Sequence, residues 1–122
     1  MRLRELMVVA FPVLLLAAAP AHAKDVCDDA PDQNTMNRCA QDDYKASDAA
    51  LNRAYQKQMK ELDADSQTLL KTAQRAWLAF RDGECKYKAA PNDGGSMYPM
   101  AYFGCLNRLT KDRIKQIEAG QE

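Results

Sequence analysis

Four cysteines in a chain of 122 residues limit how this sequence can fold. They are Cys27, Cys39, Cys85 and Cys105. An even number of cysteines in a small exported domain indicates two disulfides, because such a domain buries limited apolar surface and gains stability from covalent links. Three pairings are open. We favour Cys27–Cys39 with Cys85–Cys105, since each closes a short local loop. The main alternative is Cys39–Cys85 with Cys27–Cys105, which would tie helix ends together.

The N-terminus has the pattern of a secretory signal peptide. Basic residues precede an almost wholly apolar run at residues 6–19, and the small residues Ala21 and Ala23 follow. The run is shorter than the ~20 residues that a helix needs to cross a bilayer. We therefore expect cleavage after Ala23, which makes residues 1–23 a signal peptide. Residues 24–122 would form one periplasmic or secreted domain with no stable membrane anchor.

The distribution of charge excludes one class of partner and suggests another. Residues 24–67 hold 10 acidic and 6 basic residues, whereas residues 68–122 hold 6 acidic and 9 basic residues. A nearly neutral domain lacks the strongly basic face that nucleic-acid binding requires. The two halves could simply attract each other in the folded protein. Alternatively, the aspartate-rich residues 25–48 could form an acidic face for a cationic partner.

Most catalytic and metal-binding chemistry is missing from the predicted mature domain. The only histidine, His22, lies in the signal peptide, so Cys-His pairs, Ser-His-Asp triads and histidine metal ligands are excluded. The cysteines show no Cys-x-x-Cys spacing. Met97 and Met100 resemble a thioether copper motif, but packing is the favoured interpretation without Cys or His partners. We therefore predict no enzymatic activity, no metal and no cofactor.

Apolar residues recur at three- and four-residue steps in three segments, which predicts three amphipathic helices. The first starts near Thr35, with Asn34 or Thr35 as its N-cap, and a turn at residues 63–66 leads into the second. A loop at residues 90–96 precedes the third, which ends at Gly120. No segment alternates as a strand would. The sequence predicts an all-α fold of three helices in an antiparallel arrangement, stapled by two disulfides, with the first two helices forming an αα-hairpin.

The helical stripes also predict the core and a polar cluster within it. Trp77 is the expected core anchor, and the other predicted core residues are Tyr55, Leu51, Phe80, Leu106 and Leu109. Asp48, Arg81 and Arg113 fall on or beside the apolar stripes of the three helices. A charge removed from water needs a partner, so we expect a buried carboxylate–guanidinium pair among them.

The polar, glycine-rich loop at residues 92–98 is the candidate contact surface for a partner. Exposed loops of this kind often carry recognition, and Asp93, Ser96 and Tyr98 are its candidate contact residues. The alternative is a simple connector between the second and third helices. The sequence alone does not distinguish these two interpretations.

Several short motifs occur together along the chain. The most specific is the Gln-Arg-Ala-Trp-Leu run at residues 74–78, followed by Phe80-Arg81-Asp82 and Cys85. The other elements are Cys27, Met36-Asn37-Arg38-Cys39, Tyr44, Asp48, Leu51-Asn52, Tyr55, Gly95-Ser96, Cys105, Thr110 and Arg113. As a set they resemble the LprI-type lysozyme-inhibitor N-terminal domain, found in small exported bacterial proteins.

The resemblance implies an exported helical domain and, for the family's namesake, inhibition of lysozyme. We expect a protein that binds and occludes a lysozyme without performing chemistry on it. The alternative is a structural or protein-interaction module of the cell envelope with another envelope protein as its partner. A lysozyme activity assay would separate the two.

Overall fold

A computed structural model describes residues 26–122 of the protein. Three helices account for most of this range: α1 (Gln33–Glu61), α2 (Ala64–Ala89) and α3 (Tyr98–Ala119), with a short 3-10 turn at Ala90–Asn92 after α2. No strand occurs within residues 26–122, which confirms the all-α prediction. The predicted signal peptide lies outside the described residues.

Aspartate side chains cap the first two helices. The Oδ1 atom of Asp32 accepts a hydrogen bond of 2.8 Å from the backbone N–H of Thr35. The Oδ1 atom of Asp63 accepts an equivalent bond of 2.8 Å from Ser66. Each bond satisfies a first-turn N–H that has no partner within its own helix. Helix α1 therefore begins two residues earlier than predicted, because Asp32 rather than Asn34 or Thr35 is its cap.

The cap at Asp63 predicts a measurable pH dependence. The backbone N–H of Ser66 holds the pKa of this carboxyl below its usual value of 3.8. A lowered folded-state pKa stabilises the protein above the unfolded pKa, and this contribution is lost as the pH falls through the folded pKa. An Asp63→Asn variant keeps an acceptor oxygen but cannot be ionised. Its Tm should be lower than that of the wild type at pH 6, and the gap should shrink towards pH 2.

Thermal unfolding followed by circular dichroism over this pH range would measure the gap. Asp112→Asn, on exposed α3 surface, is the control. A gap that stays constant between pH 6 and pH 2 would contradict the assignment of Asp63 as an ionised cap.

Helix α3 holds the fold together. It packs most extensively against α1 and less extensively against α2, whereas α1 and α2 make few close backbone approaches. Side-chain pairs give the directions: α1 is parallel to α3, as shown by Asn37 with Met100 and Tyr44 with Phe103. Helix α2 is antiparallel to both. The prediction of an αα-hairpin therefore holds for direction, but the closely packed neighbours are α1 and α3, because the α2 face between them carries long polar side chains.

Both disulfides join the favoured partners. Cys27 pairs with Cys39 and Cys85 pairs with Cys105, which confirms the prediction. The Cys85–Cys105 bridge lies in the core, since the two residues are 0% and 3% exposed. The Cys27–Cys39 bridge instead fastens the segment before α1 to the first turns of that helix. The pair of disulfides is typical of proteins that fold in an oxidising, extracytoplasmic compartment.

Most of the predicted core residues face the interior, with one clear exception. Leu51 and Leu106 are buried, and Tyr55, Leu109 and Trp77 are half-buried. Phe80 is 56% exposed, so its assignment to the core is wrong. The apolar stripe of α2 was predicted from Leu70, Ala73, Trp77 and Phe80, which follow each other at steps of three, four and three residues. These steps average less than the 3.6 residues of a helical turn, so the stripe moves off the inward face by Phe80. The buried positions there are Gln74, Arg81, Cys85 and Ala89.

A polar cluster lies between α1, α2 and α3, where the sequence predicted one. The Arg81 side chain is 6% exposed and forms ion pairs with Asp48 at 3.3 Å and Asp82 at 3.0 Å. Its Nη1 atom also donates to the Thr110 hydroxyl at 3.4 Å. Burial alone would lower the pKa of Arg81, but the hydrogen bond to Asp82 and the neighbouring negative charges outweigh it and raise the pKa. The predicted buried carboxylate–guanidinium pair is thus Asp48 with Arg81.

Trp77 lies between this cluster and the second predicted arginine. The guanidinium carbon of Arg81 lies 5.3 Å from the Trp77 ring centroid, and that of Arg113 lies 5.8 Å from it. Both distances are within the range of cation–π attraction. Arg113 bonds Gln74 rather than an acid, with Nε donating to Oε1 at 2.9 Å. Trp77 therefore supports two arginines and is not a fully enclosed core anchor.

Candidate binding surface

The loop between α2 and α3 is built from consecutive hydrogen-bonded turns. The backbone N–H of Asp93 donates to Ala90 O at 3.0 Å, and that of Gly95 donates to Asn92 O at 3.0 Å. Gly94 has a φ of 74°, in the left-handed region that glycine adopts without steric strain. These local bonds hold the loop backbone in a defined conformation.

Asn37 on α1 attaches the loop to the first turns of that helix. Its Nδ2 atom donates to Ser96 O at 2.9 Å, and its Oδ1 atom accepts from the backbone N–H of Met100 at 3.2 Å. Gln33 donates to Asn37 Oδ1 at 2.9 Å, which orients the amide. The loop and the N-terminal part of α1, which the sequence marked separately, therefore lie at the same end of the bundle.

The Cys27–Cys39 disulfide adds acidic residues to this end. The bridge holds the Cα atoms of its two cysteines 5.7 Å apart, so Asp28 lies beside α1 near Cys39. Asp42 and Asp43 follow about one helical turn after Cys39, and all three aspartates are exposed. No ion pair neutralises Asp28, Asp42 or Asp43 within residues 26–122. We call Asp28, Asp42 and Asp43 with the loop at residues 92–97 the acidic end.

The predicted contact residues differ in their exposure. Asp93 and Ser96 are exposed on the loop, whereas Tyr98 is half-buried. The Tyr98 ring stacks on Tyr102 with a centroid distance of 5.8 Å, so it packs along α3. Met97, for which packing was the favoured interpretation, is instead 47% exposed at the N-cap of α3, so that interpretation is wrong for this side chain. The hydrophobic pattern placed Met97 beside the helix start, and nothing in the sequence marked its side chain as pointing outward.

Comparison with known proteins identifies the family. The family model described as lysozyme inhibitor LprI matches residues 27–117. The chain belongs to the LprI family. The match includes all four cysteines, the three helices almost completely and the whole acidic end. Within residues 26–122, no helix is both long enough and apolar enough to span a membrane.

Two relatives of this chain are described as uncharacterized proteins. An uncharacterized protein of Rhizobium meliloti (strain 1021) is 38% identical over 125 aligned positions, covering 89% of this chain and 90% of the relative. The uncharacterized protein YecT of Escherichia coli (strain K12) is 30% identical over 106 positions, covering 75% of this chain and 65% of YecT. No solved structure matches the chain.

Proposed function

We propose that this protein is a periplasmic or secreted inhibitor that binds a cationic lysozyme through its acidic end. The observation that carries the proposal is the attachment of the loop to α1 by Asn37, which places an ordered loop and a group of unpaired aspartates at one end of the bundle. The family match supplies the class of target. We further propose that export removes residues 1–23, which would allow both disulfides to form outside the cytoplasm.

The aspartates of the acidic end would steer the encounter. Opposite charges on two surfaces raise the association rate, and salt weakens this effect. Asp42 and Asp43 are adjacent in sequence, and Asp28 is held near them by the disulfide, so their fields add at distances shorter than the screening length of about 10 Å at 0.1 M salt. At 1 M salt that length is about 3 Å, and steering would be largely lost.

The loop would supply the occluding contact. Lysozyme cleaves its substrate with two carboxyl groups in a cleft, so a blocking segment should carry little negative charge where it enters. Residues 94–97 carry none, and the exposed Met97 at the start of α3 offers flexible apolar surface. Because the loop backbone is already fixed by hydrogen bonds, binding would lose less conformational entropy than binding by a flexible loop.

An assay of bacterial cell-wall lysis tests the proposal. The rate of lysis by a cationic lysozyme is measured while the purified mature protein is added at increasing molar ratio. We expect stoichiometric inhibition that weakens between 0.1 M and 1 M salt. An Asp42→Asn/Asp43→Asn variant should require about 2- to 30-fold more protein for half inhibition, since each exposed ion pair contributes ~0.2–1 kcal/mol.

The matched control is Asp112→Asn/Glu118→Gln, which removes the same charge from exposed α3 surface away from the loop. It should inhibit like the wild type. Equal loss in both double variants would show that net charge, and not the acidic end, governs binding. Absence of inhibition at a large molar excess, against several types of lysozyme, would refute the proposed function.

A further inference from the structure

A groove lies at the opposite end of the bundle, where α1 meets α2 and α3 ends. Its volume is about 280 Å³, and its apolar lining comes mainly from Leu62, Leu69, Leu70, Ala73 and Ile117. Leu69 is 68% exposed, although it is a large aliphatic side chain on a regular helix. The apolar part of the lining is aliphatic and contains no aromatic ring among the described residues, and Gln58, Ser66, Gln116 and Gln121 add polar groups beside it. The apolar part suits a flexible alkyl chain better than a flat ring.

Among residues 26–122, Arg113 is the one charged residue that lines this groove. Within residues 26–122 its hydrogen-bond partners are two neutral amides: Gln74, and Gln116, whose Oε1 accepts from Nη1 at 3.1 Å. These bonds use two of the five N–H groups of a guanidinium. Burial lowers the pKa of Arg113, and no neighbouring carboxylate opposes the shift. Arg81, on the other side of the same tryptophan, has two carboxylate partners.

Arg81 is paired with carboxylates and Arg113 with neutral amides, and this difference indicates that the groove suits an anionic ligand. A partly buried cation is favourable when an anion replaces the water that it has lost, and a carboxylate can accept two parallel bonds from a guanidinium. The same ligand must also cover the aliphatic lining beside it. A molecule with a carboxylate head and an alkyl tail meets both requirements.

We propose that this groove binds a medium-chain alkyl carboxylate, with the head on Arg113 and the tail along Leu69, Leu70 and Ile117. The groove volume is close to the lower limit of small-molecule sites, about 300 Å³, so a single chain fits its size. The site lies at the far end of α3 from the acidic end. A ligand in the groove would therefore not touch the proposed lysozyme contact.

A titration followed by nuclear magnetic resonance tests the site. Decanoate is added to the isotope-labelled protein at concentrations below those at which decanoate forms micelles. Saturable shifts with one-to-one stoichiometry should centre on Leu69, Ala73 and Ile117. Decanol, which keeps the chain but has no carboxylate, should bind at least about 10-fold more weakly, because it lacks the charge-assisted hydrogen bonds. Decyltrimethylammonium, with the opposite charge, should bind no better than decanol.

Two variants separate the head contact from the tail contact. Arg113→Gln should weaken decanoate binding about 10-fold or more and leave decanol binding unchanged. Ala73→Leu places a larger side chain at an exposed helical position that lines the groove, and should weaken both ligands without loss of fold. Ala73→Leu keeps the test decisive if Arg113→Gln disturbs the packing of Trp77.

Three outcomes would overturn the proposal. They are decanoate shifts that appear only at micellar concentrations, equal affinity for decanoate and decanol, and affinity unaffected by Ala73→Leu. Binding of a short peptide with a C-terminal leucine, without binding of decanoate, would assign the groove to a protein partner instead.

Discussion

Replacement of both Cys85 and Cys105 by alanine is expected to lower the free energy of unfolding by about 2–5 kcal/mol. The bridge closes a loop with a sequence separation of 20, and its loss would release the unfolded chain from this constraint. Both residues are also enclosed in the core beside Leu106, so the change would remove buried contacts as well. Chemical denaturation of the purified exported protein, followed by circular dichroism, would measure the loss.

The Cys27→Ala/Cys39→Ala variant is the matched control. Its loop has a sequence separation of 12, so the chain-entropy difference between the two bridges is only about 0.5 kcal/mol. Any larger difference would come from burial, since Cys27 and Cys39 are only half-buried. We expect the control to retain more stability and to affect mainly the position of Asp28. If both variants lost equal stability, burial of the Cys85–Cys105 bridge in the core would add nothing to the free energy of unfolding.

The Arg81→Ala variant is expected to lower the free energy of unfolding by about 3 kcal/mol, near the lower end of the range for removal of one partner from a buried ion pair. The substitution would remove the two ion pairs and the bond to Thr110. It would also leave the Tyr44 ring without its cation and the Trp77 ring with Arg113 alone. We expect a value near the lower end because the Asp48 side chain is 38% exposed, so water can solvate its carboxylate after Arg81 is removed.

Arg75→Ala is the control for this measurement. Arg75 is on the same helix but exposed, so its replacement should change stability by less than about 0.5 kcal/mol. Arg81→Lys should rank between the two, since it keeps the charge but loses the planar fork that contacts several partners. Equal effects of Arg75→Ala and Arg81→Ala would show that the buried cluster contributes nothing beyond helix propensity.

Much of the fold follows from patterns that depend on neighbours in sequence. The helix-forming runs, the aspartate-rich turn before α2 and Gly120 after α3 act locally, so the three helices were predictable. The disulfide pairing was predictable because each bridge closes a short loop between nearby elements. Leu51 and Leu106 lie on strongly apolar stripes, and their burial followed directly.

Helix α2 shows where the same reasoning fails. Hydrophobic periodicity assumes that the inward face is the apolar one, which favours Phe80. The inward face of α2 instead carries Gln74 and Arg81, which are tolerated because residues from α1 and α3 supply their hydrogen-bond partners. Those partners are at least 29 residues away in sequence. No local pattern encodes such a cluster, although the charges at positions 48 and 81 indicated that one pair would form.

The acidic end was predictable in its parts but not as a unit. The aspartates before residue 49 and the glycine-rich loop were each visible in the sequence. Their joining depends mainly on Asn37, whose two hydrogen bonds span 59 and 63 residues, and Gln33 adds a contact with the Met100 sulfur. An asparagine on a helix is ordinarily a solvated residue, and only the three-dimensional arrangement shows that it sets the position of Ser96 and Met100.

The order of the helices along the chain has a consequence for when the protein can fold. The helix that contributes most of the tertiary contacts is the last to be synthesised, and α1 and α2 have little to hold each other in its absence. A growing chain that has not yet reached residue 98 therefore lacks its main packing surface and has only marginal helices. Such a chain would stay open until its final quarter emerges, which is compatible with the proposed export. Folding and the closure of the Cys85–Cys105 bridge would then occur together.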